Sequence, residues 1–219
     1  ADLLVFGMGE RPIVEIARRL AAGDDVKALR DLRGVAYLLG RSEALPAHRW
    51  DDAACDNTTV ALPSFEEVGK DLRAFSRMTA LHHHETNPLN ARRVVQPHGD
   101  RLMVQNPPTL PLTEAEMDAA YDLPYARRPH PRYAESIPAF EMIKDSVTTM
   151  RGCFGGCTFC SITMHQGRII QSRSPASVVG EVRRIAQDPA FKGTISDVGG
   201  PTANMYQMRC TRPDVEARC

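Results

Sequence analysis

The sequence has no excess of charge of either sign: 27 basic side chains are balanced by 27 acidic ones. That balance removes the global field by which a protein attracts nucleic acid or an anionic membrane. It has no apolar run approaching the ~20 residues that span a bilayer, and no signal-peptide pattern at its start. A cytoplasmic protein, without nucleic-acid or membrane partners, is the expectation. Internal repeats and low-complexity tracts are missing as well. Nor does it open with Met: Ala1 leads straight into Leu3-Leu4-Val5-Phe6, which reads as a buried strand, and the charged segment from Asp214 to Cys219 ends without a terminating signal. The chain therefore reads as an internal piece of a longer protein. What remains is ordinary for a globular chain: 219 residues, 42% hydrophobic and 25% charged, enough for one large domain or two small ones.

Six cysteines are present, but their distribution argues against a disulfide framework. Cys153, Cys157 and Cys160 crowd together, Cys55 is isolated in a polar loop, and Cys210 and Cys219 lie near the end. Disulfide scaffolds belong to short secreted chains, whereas a tight cluster in a cytosolic chain points to metal.

Hydrophobic periodicity organises the first part. Asp2–Gly7 reads as a strand running into the turn Gly7-Met8-Gly9-Glu10, and Ile13, Ile16, Ala17, Leu20 and Ala21 then recur at helical spacing. A short helix over Val26–Leu32 and a strand over Gly34–Leu39 follow. This order resembles part of a doubly wound α/β domain, with the Gly-x-Gly read as a tight turn. Ser64 and Glu67 form a capping box for a helix whose apolar face is Phe65, Val68, Leu72 and Phe75. His82-His83-His84 fall near its end, where cations suit the helix dipole better than neighbouring helical side chains suit one metal. Val94–Gln96 and Leu102–Gln105 flank a hairpin signal, Pro97-His98-Gly99-Asp100. Thr113 and Glu116 box a helix to about Tyr121. Residues 122–138 hold four prolines and no periodicity, and a domain boundary is expected at their end.

The strongest motif follows a strand candidate within Met142–Thr149. Cys153, Cys157 and Cys160 are spaced C-x3-C-x2-C in a loop with Gly152, Gly155 and Gly156. Three thiolates from one loop can ligate three irons of a [4Fe–4S] cubane and leave the fourth iron open for a small molecule. A structural zinc site, with His165 or Cys210 as fourth ligand, has the same spacing open to it. Downstream, Ser174-Pro175 starts a helix with the apolar stripe Val178, Val179, Val182, Ile185 and Ala186. Thr194–Val198 then reads as a strand ending in Gly199-Gly200-Pro201. Strand, cysteine loop, helix, strand and Gly-Gly loop make one βαβ unit of a parallel sheet, with both loops at the edge where α/β folds bind ligands.

These residues resemble a known family. The run from Arg151 through the three cysteines to Arg168 is similar to the YgiQ family of radical S-adenosylmethionine (SAM) proteins. So are Gly199-Gly200-Pro201 through Tyr206, Gly7-Met8-Gly9-Glu10-Arg11, and the stretch from Gln105-Asn106-Pro107-Pro108 to Tyr133. The resemblance implies an α/β fold in two parts. Residues 1–138 are then the end of the family's N-terminal α/β domain. Residues 139–219 are the first βαβ unit of a radical SAM partial TIM barrel, truncated here and expected to be unstable and inactive alone.

The same resemblance implies a [4Fe–4S] cluster on Cys153, Cys157 and Cys160, and SAM cleaved reductively to a radical that acts on an unknown substrate. It places Phe159 beside the adenine and Gly199, Gly200 and Pro201 at the methionine end. Pro201 stands where an acidic residue is frequent, so that contact relies on backbone atoms. An electron donor is an implied partner. His165 and Arg168 follow the cluster loop as candidates for a carboxylate contact or for tuning potential. Cys210 and Cys219 resemble the start of a cysteine-rich segment and are candidates for a second metal site.

Overall fold

The computed structural model describes residues 2–47, 59–201 and 203–218. They fall into two compact units, one comprising residues up to Leu110 together with those from Cys210 onward, the other spanning Pro111–Arg209. The chain passes from the first unit to the second between residues 110 and 111, upstream of residue 138. The proline-rich stretch 122–138 thus packs with the unit that carries the cysteine loop.

In the first unit β1 (Leu4–Val5) leads through the glycine turn into α1 (Glu10–Ala21) and a 3-10 helix over Val26–Asp31, then β2 (Val35–Leu39). β3 (Thr59–Ala61), α2 (Phe65–Val68), α3 (Leu72–His84) and the hairpin β4 (Arg93–His98) and β5 (Arg101–Gln105) complete it. The sheet order is β1-β2-β5-β4-β3. Only β3 and β4 run parallel, while β1–β2, β2–β5 and β5–β4 are antiparallel. The fold class is mixed α/β, but the doubly wound expectation for the opening segment is corrected. α1 and the 3-10 helix return the chain so that β2 lies against β1 in the opposite direction, not as a parallel crossover.

The core of this unit forms where strand alternation dictates: Val35, Tyr37 and Leu39 of β2 interlock with Val95 and Val104, and Leu3, Val5 and Ile16 pack onto them. Ile16 alone of the α1 stripe joins that cluster, and Ile13 and Leu20 remain exposed. The helix expected from Ser64 onward breaks in two. Ser64 and Glu67 form their reciprocal capping box, the chain then turns at Gly69, and Asp71 caps α3 by accepting the Arg73 N–H at 2.9 Å. Phe65, Leu72 and Phe75 are consequently exposed, Phe65 stacking on His98. α3 turns Ala74, Met78, Leu81 and His82 inward instead. The hairpin is tighter than its sequence signal suggested, with His98 paired to Arg101 across Gly99-Asp100. Gly99 takes a positive φ of 57° there, as a two-residue turn demands.

In the second unit α4 (Glu114–Tyr121) carries the expected capping box between Thr113 and Glu116. After the irregular stretch come α5 (Pro138–Ile143), β6 (Ser146–Thr148), β7 (Met150–Arg151), α6 (Ile162–Gln166), β8 (Gln171–Ser172), α7 (Pro175–Ala186) and β9 (Asp197–Gly199). The parallel βαβ unit is present: β6 pairs with β9 in the register Ser146↔Asp197, Val147↔Val198 and Thr148↔Gly199. α5 was not expected; Pro138 at its first turn starts a helix through residues read as the beginning of a strand. α8 (Pro213–Glu216) lies in the part of the chain that belongs to the first unit, where Asn87 Nδ2 donates to the Glu216 carbonyl at 2.9 Å. Among the described residues no helix is long and apolar enough to cross a membrane.

Asn106 ties the first unit together. Fully buried after β5, it donates from Nδ2 to the carbonyls of Arg30 at 2.9 Å and Leu32 at 2.6 Å. Asn106→Ala orphans both carbonyls and is expected to cost ~1–3 kcal/mol in urea unfolding. Asn106→Asp sets a carboxylate against two carbonyl oxygens, so its folded pKa rises above the unfolded ~3.9. Its cost should therefore be larger at pH 7 than at pH 4; equal costs would show that the side chain does not face those carbonyls.

Candidate functional site

The site begins where β6 and its parallel partner β9 end side by side. Thr148 and Gly199 are paired, and the next residue, Thr149, donates its N–H to the Gly199 carbonyl at 2.8 Å. On its other side Thr149 accepts the Arg173 N–H at 2.9 Å. The chain then continues into a short antiparallel ribbon, β7 with β8, in which Met150 faces Ser172 and Arg151 faces Gln171. The cysteine loop is the closed excursion between those two strands.

The base of the loop is tightly specified. Gly152 N–H donates to Gln166 Oε1 at 3.0 Å, and Cys153 N–H donates to the Gly167 carbonyl at 3.1 Å. Gly152 sits at φ 90°, and a Cβ there would stand 2.4 Å from the Ile169 carbonyl oxygen. No other residue fits both constraints. Cys153, at the end of this base, is 7% exposed. Its Sγ accepts the Gly155 N–H at 3.4 Å.

The crown of the loop is looser. Cys157 is exposed and Cys160 half-buried, linked by a turn in which the Cys160 N–H donates to the Cys157 carbonyl at 3.1 Å. A Cβ on Gly155 would lie 3.2 Å from Cys153 Sγ and 4.0 Å from Cys157 Sγ. That glycine leaves room between two thiols that any side chain would fill. Among the described residues no three His, Cys, Asp or Glu side chains converge to metal-ligand distances, so the thiols are not gathered in this conformation. The donor set nevertheless fits an iron–sulfur cluster: thiols on one short loop, an N–H already aimed at sulfur, and glycines at the points of closest approach.

The other expected site residues are distributed as follows. Phe159, in the crown, is 91% exposed. Gly200 backs onto the strand before the cysteines, because a Cβ there would meet the Met150 side chain at 2.7 Å. Gly199 has its carbonyl engaged by Thr149, and Pro201 is exposed. His165, in the last turn of α6, is exposed, and Arg168 is half-buried. Cys210 is exposed, its Sγ directed at the Arg212 carbonyl at 3.3 Å. Cys55 and Cys219 lie outside the described residues. In the first unit His82 Nε2 lies 3.3 Å from Gln105 Oε1, and among the described residues the histidine triplet gathers no metal-ligand set.

Beneath the site lies a group that sequence reasoning missed. Glu181 is buried in α7 and accepts from both Arg173 and Arg127. The Arg173 guanidinium stacks over Tyr121, 4.3 Å from the ring centroid, and the Tyr121 hydroxyl accepts from Arg151 Nε at 3.1 Å. Tyr206, beyond the glycine loop, donates its hydroxyl to the Arg173 carbonyl at 2.9 Å. Burial, then the nearby Glu114 and Asp118, raises the pKa of that phenol above its ordinary value. A signal was present: Glu181 falls inside the apolar stripe of Val178, Val182 and Ile185, where a carboxylate demands a buried partner.

Residues 1–146 match the family described as radical SAM N-terminal. The chain belongs to that family. It is 52% identical to a UPF0313 protein of Rhodopseudomonas palustris over the whole of this chain and 34% of that protein. To the UPF0313 protein of Geobacter sulfurreducens it is 53% identical, over 96% of this chain and 33% of the relative. To the UPF0313 protein YgiQ of Escherichia coli strain K12 it is 43% identical, over all of this chain and 36% of the relative. The motif resemblance to YgiQ-family radical SAM proteins is thereby borne out. The chain spans about a third of the length of these relatives.

Gly152 and Gly156, two of the loop's three glycines, predict opposite sensitivities. Gly152→Ala meets both a positive φ and a backbone clash, and should lower stability by ~1–3 kcal/mol in chemical denaturation. Gly156, with nothing within 4 Å of a Cβ, should accept Ala within ~0.5 kcal/mol. Equal effects would contradict the rigid-base, loose-crown description.

Proposed function

We propose that the protein is a radical SAM enzyme whose Cys153, Cys157 and Cys160 hold a [4Fe–4S] cluster and whose adjoining glycine loop receives SAM. The observation that carries this reading is the pairing of Thr148 with Gly199. It supports one pocket at the C-terminal ends of two parallel strands, the position where α/β folds bind ligands. Family membership supports the same assignment.

When bound, the cluster would supply the one-electron chemistry that cleaves SAM for hydrogen abstraction from a substrate. The residues of this chain bind and orient. Cys153 would be a ligand already positioned by the loop base, and Cys157 and Cys160 would be the ligands supplied by the crown. The Gly155 N–H donates to a cysteine sulfur, a contact that raises reduction potential by stabilising added negative charge. Gly199 and Gly200 present backbone atoms to the methionine end, Pro201 contributing no N–H. Phe159, exposed as it stands, is assigned to cover the adenine and exclude water. This reading requires an electron donor and an organic substrate.

The test is anaerobic reconstitution of the protein with iron and sulfide. A brown product holding about four irons and four sulfides per chain, bleached by dithionite, is expected. Cys157→Ala should lose most of the cluster, and SAM with reductant should yield 5′-deoxyadenosine. A colourless protein retaining one zinc and no sulfide would sink the proposal in favour of a structural zinc module built on the same cysteines with His165 or Cys210.

A further inference from the structure

Arg173 is fully buried, and none of the cofactor contacts proposed above involves it. Every face of it is nevertheless committed. Nη1 donates to the Thr148 carbonyl at 2.8 Å and to Glu181. Nε and Nη2 donate to Ser177 Oγ at 3.1 and 2.9 Å, and Nη2 also to the Ser177 carbonyl at 3.1 Å. Its backbone N–H goes to Thr149, and its carbonyl receives the Tyr206 hydroxyl. Thr148 and Thr149 are the residues that lead into the cysteine loop. Tyr206 ends the segment that leaves the glycine loop, and the next N–H, that of Gln207, is bound to Ser172 Oγ at 2.9 Å.

We propose that Arg173, oriented by Glu181 and Ser177, is the positioning residue that sets the cysteine loop against the glycine loop. It does so by gripping the stem of one and the tail of the other. Glu181 extends the grip through Arg127, whose Nη2 donates to the carbonyls of Lys144 and Ser146, each at 2.9 Å. The carbonyls of residues 144, 146 and 148, along the side of β6 turned away from β9, are therefore all taken by guanidinium groups tied to one carboxylate. A lysine cannot substitute, because its three donors radiate from a single atom whereas the planar guanidinium spreads five over a fork.

The consequence for the cluster rests on the function proposed above; the consequence for Cys153 does not. In the metal-free, reduced protein Arg173→Lys should accelerate alkylation of Cys153 about tenfold by loosening the loop base, with exposed Cys157 as an unchanged internal control. Ser177→Ala, which removes a hydroxyl and leaves the ion pair, should give a smaller acceleration in the same direction. It carries the test if Arg173→Lys fails to fold. In the reconstituted protein the two variants should shift the cluster's midpoint potential and diminish the change that SAM makes in the spectrum of the reduced cluster. Variants that melt earlier but keep wild-type Cys153 protection and wild-type potential would overturn the proposal, leaving Arg173 as core packing alone. Should the wild-type protein bind no cluster, the function proposed above fails, and the alkylation rates still decide the role of Arg173.

Discussion

A carboxylate removed from water loses several kcal/mol of solvation, and only close, well-directed partners return it. Glu181 is such a carboxylate, and the second unit is organised around satisfying it. Two arginines meet it, and each brings further N–H groups that need acceptors of their own. Those acceptors are backbone carbonyls of Lys144, Ser146 and Thr148, which β9, pairing on the other side of β6, does not use. One buried charge thus draws the helix α7, the strand β6 and the ribbon before α7 into a single arrangement. A hydrophobic residue at position 181 would pack α7 with less cost, but it would leave both guanidiniums and three carbonyls without this shared solution.

The same network covers the edge of β6 that no strand pairs among the described residues. An unpaired strand edge is a template for unwanted pairing, and charged side chains laid against it are a known remedy. Here the guanidiniums do more than repel, since they consume the acceptors themselves. Pairing is directed to the β9 side, which is where the glycine loop emerges. Edge protection and site construction are consequently one device: the groups that close one side of β6 also fix the residues from which the cysteine loop departs.

Local physics was legible in the sequence, and long-range pairing was not. The capping boxes at Ser64–Glu67 and Thr113–Glu116 and the serine cap at Ser174 involve residues three apart, so their chemistry is visible in a short window. The hairpin at Gly99-Asp100 is local for the same reason. The parallel pairing of β6 with β9 was accessible because a helical stripe between two strands leaves few right-handed alternatives. By contrast, β3 is three residues long and follows a polar stretch, so nothing marked it as a strand. The antiparallel return of β2 depends on how α1 lies across the sheet, and a Gly-x-Gly turn is compatible with either direction. Arg127 and Glu181 are 54 residues apart, and the arginine sits in a segment without periodicity. Only the misplaced carboxylate on the α7 stripe betrayed that a partner existed.

The cysteine loop shows why its motif was easier to read than its geometry. Spacing limits which thiols can share a metal, but says nothing of which are held before the metal arrives. Cys153 is held: its backbone is bonded to Gly167, its stem passes through a glycine that no other residue can replace, and its side chain is buried. Cys157 and Cys160 sit in the exposed crown around Gly155 and Gly156. If all three thiols were rigid, any error in their placement would be paid as strain in the metal bonds. If all three were loose, ordering them would cost roughly 1–2 kcal/mol per backbone residue fixed. One anchored thiol with two adaptable ones limits the ordering cost to the crown and lets the cluster set the final geometry, which couples metal binding to the last step of folding. The anchor has value only while the stem beneath it stays fixed, and that stem is gripped through Thr148 and Thr149 by the arginine that Glu181 holds.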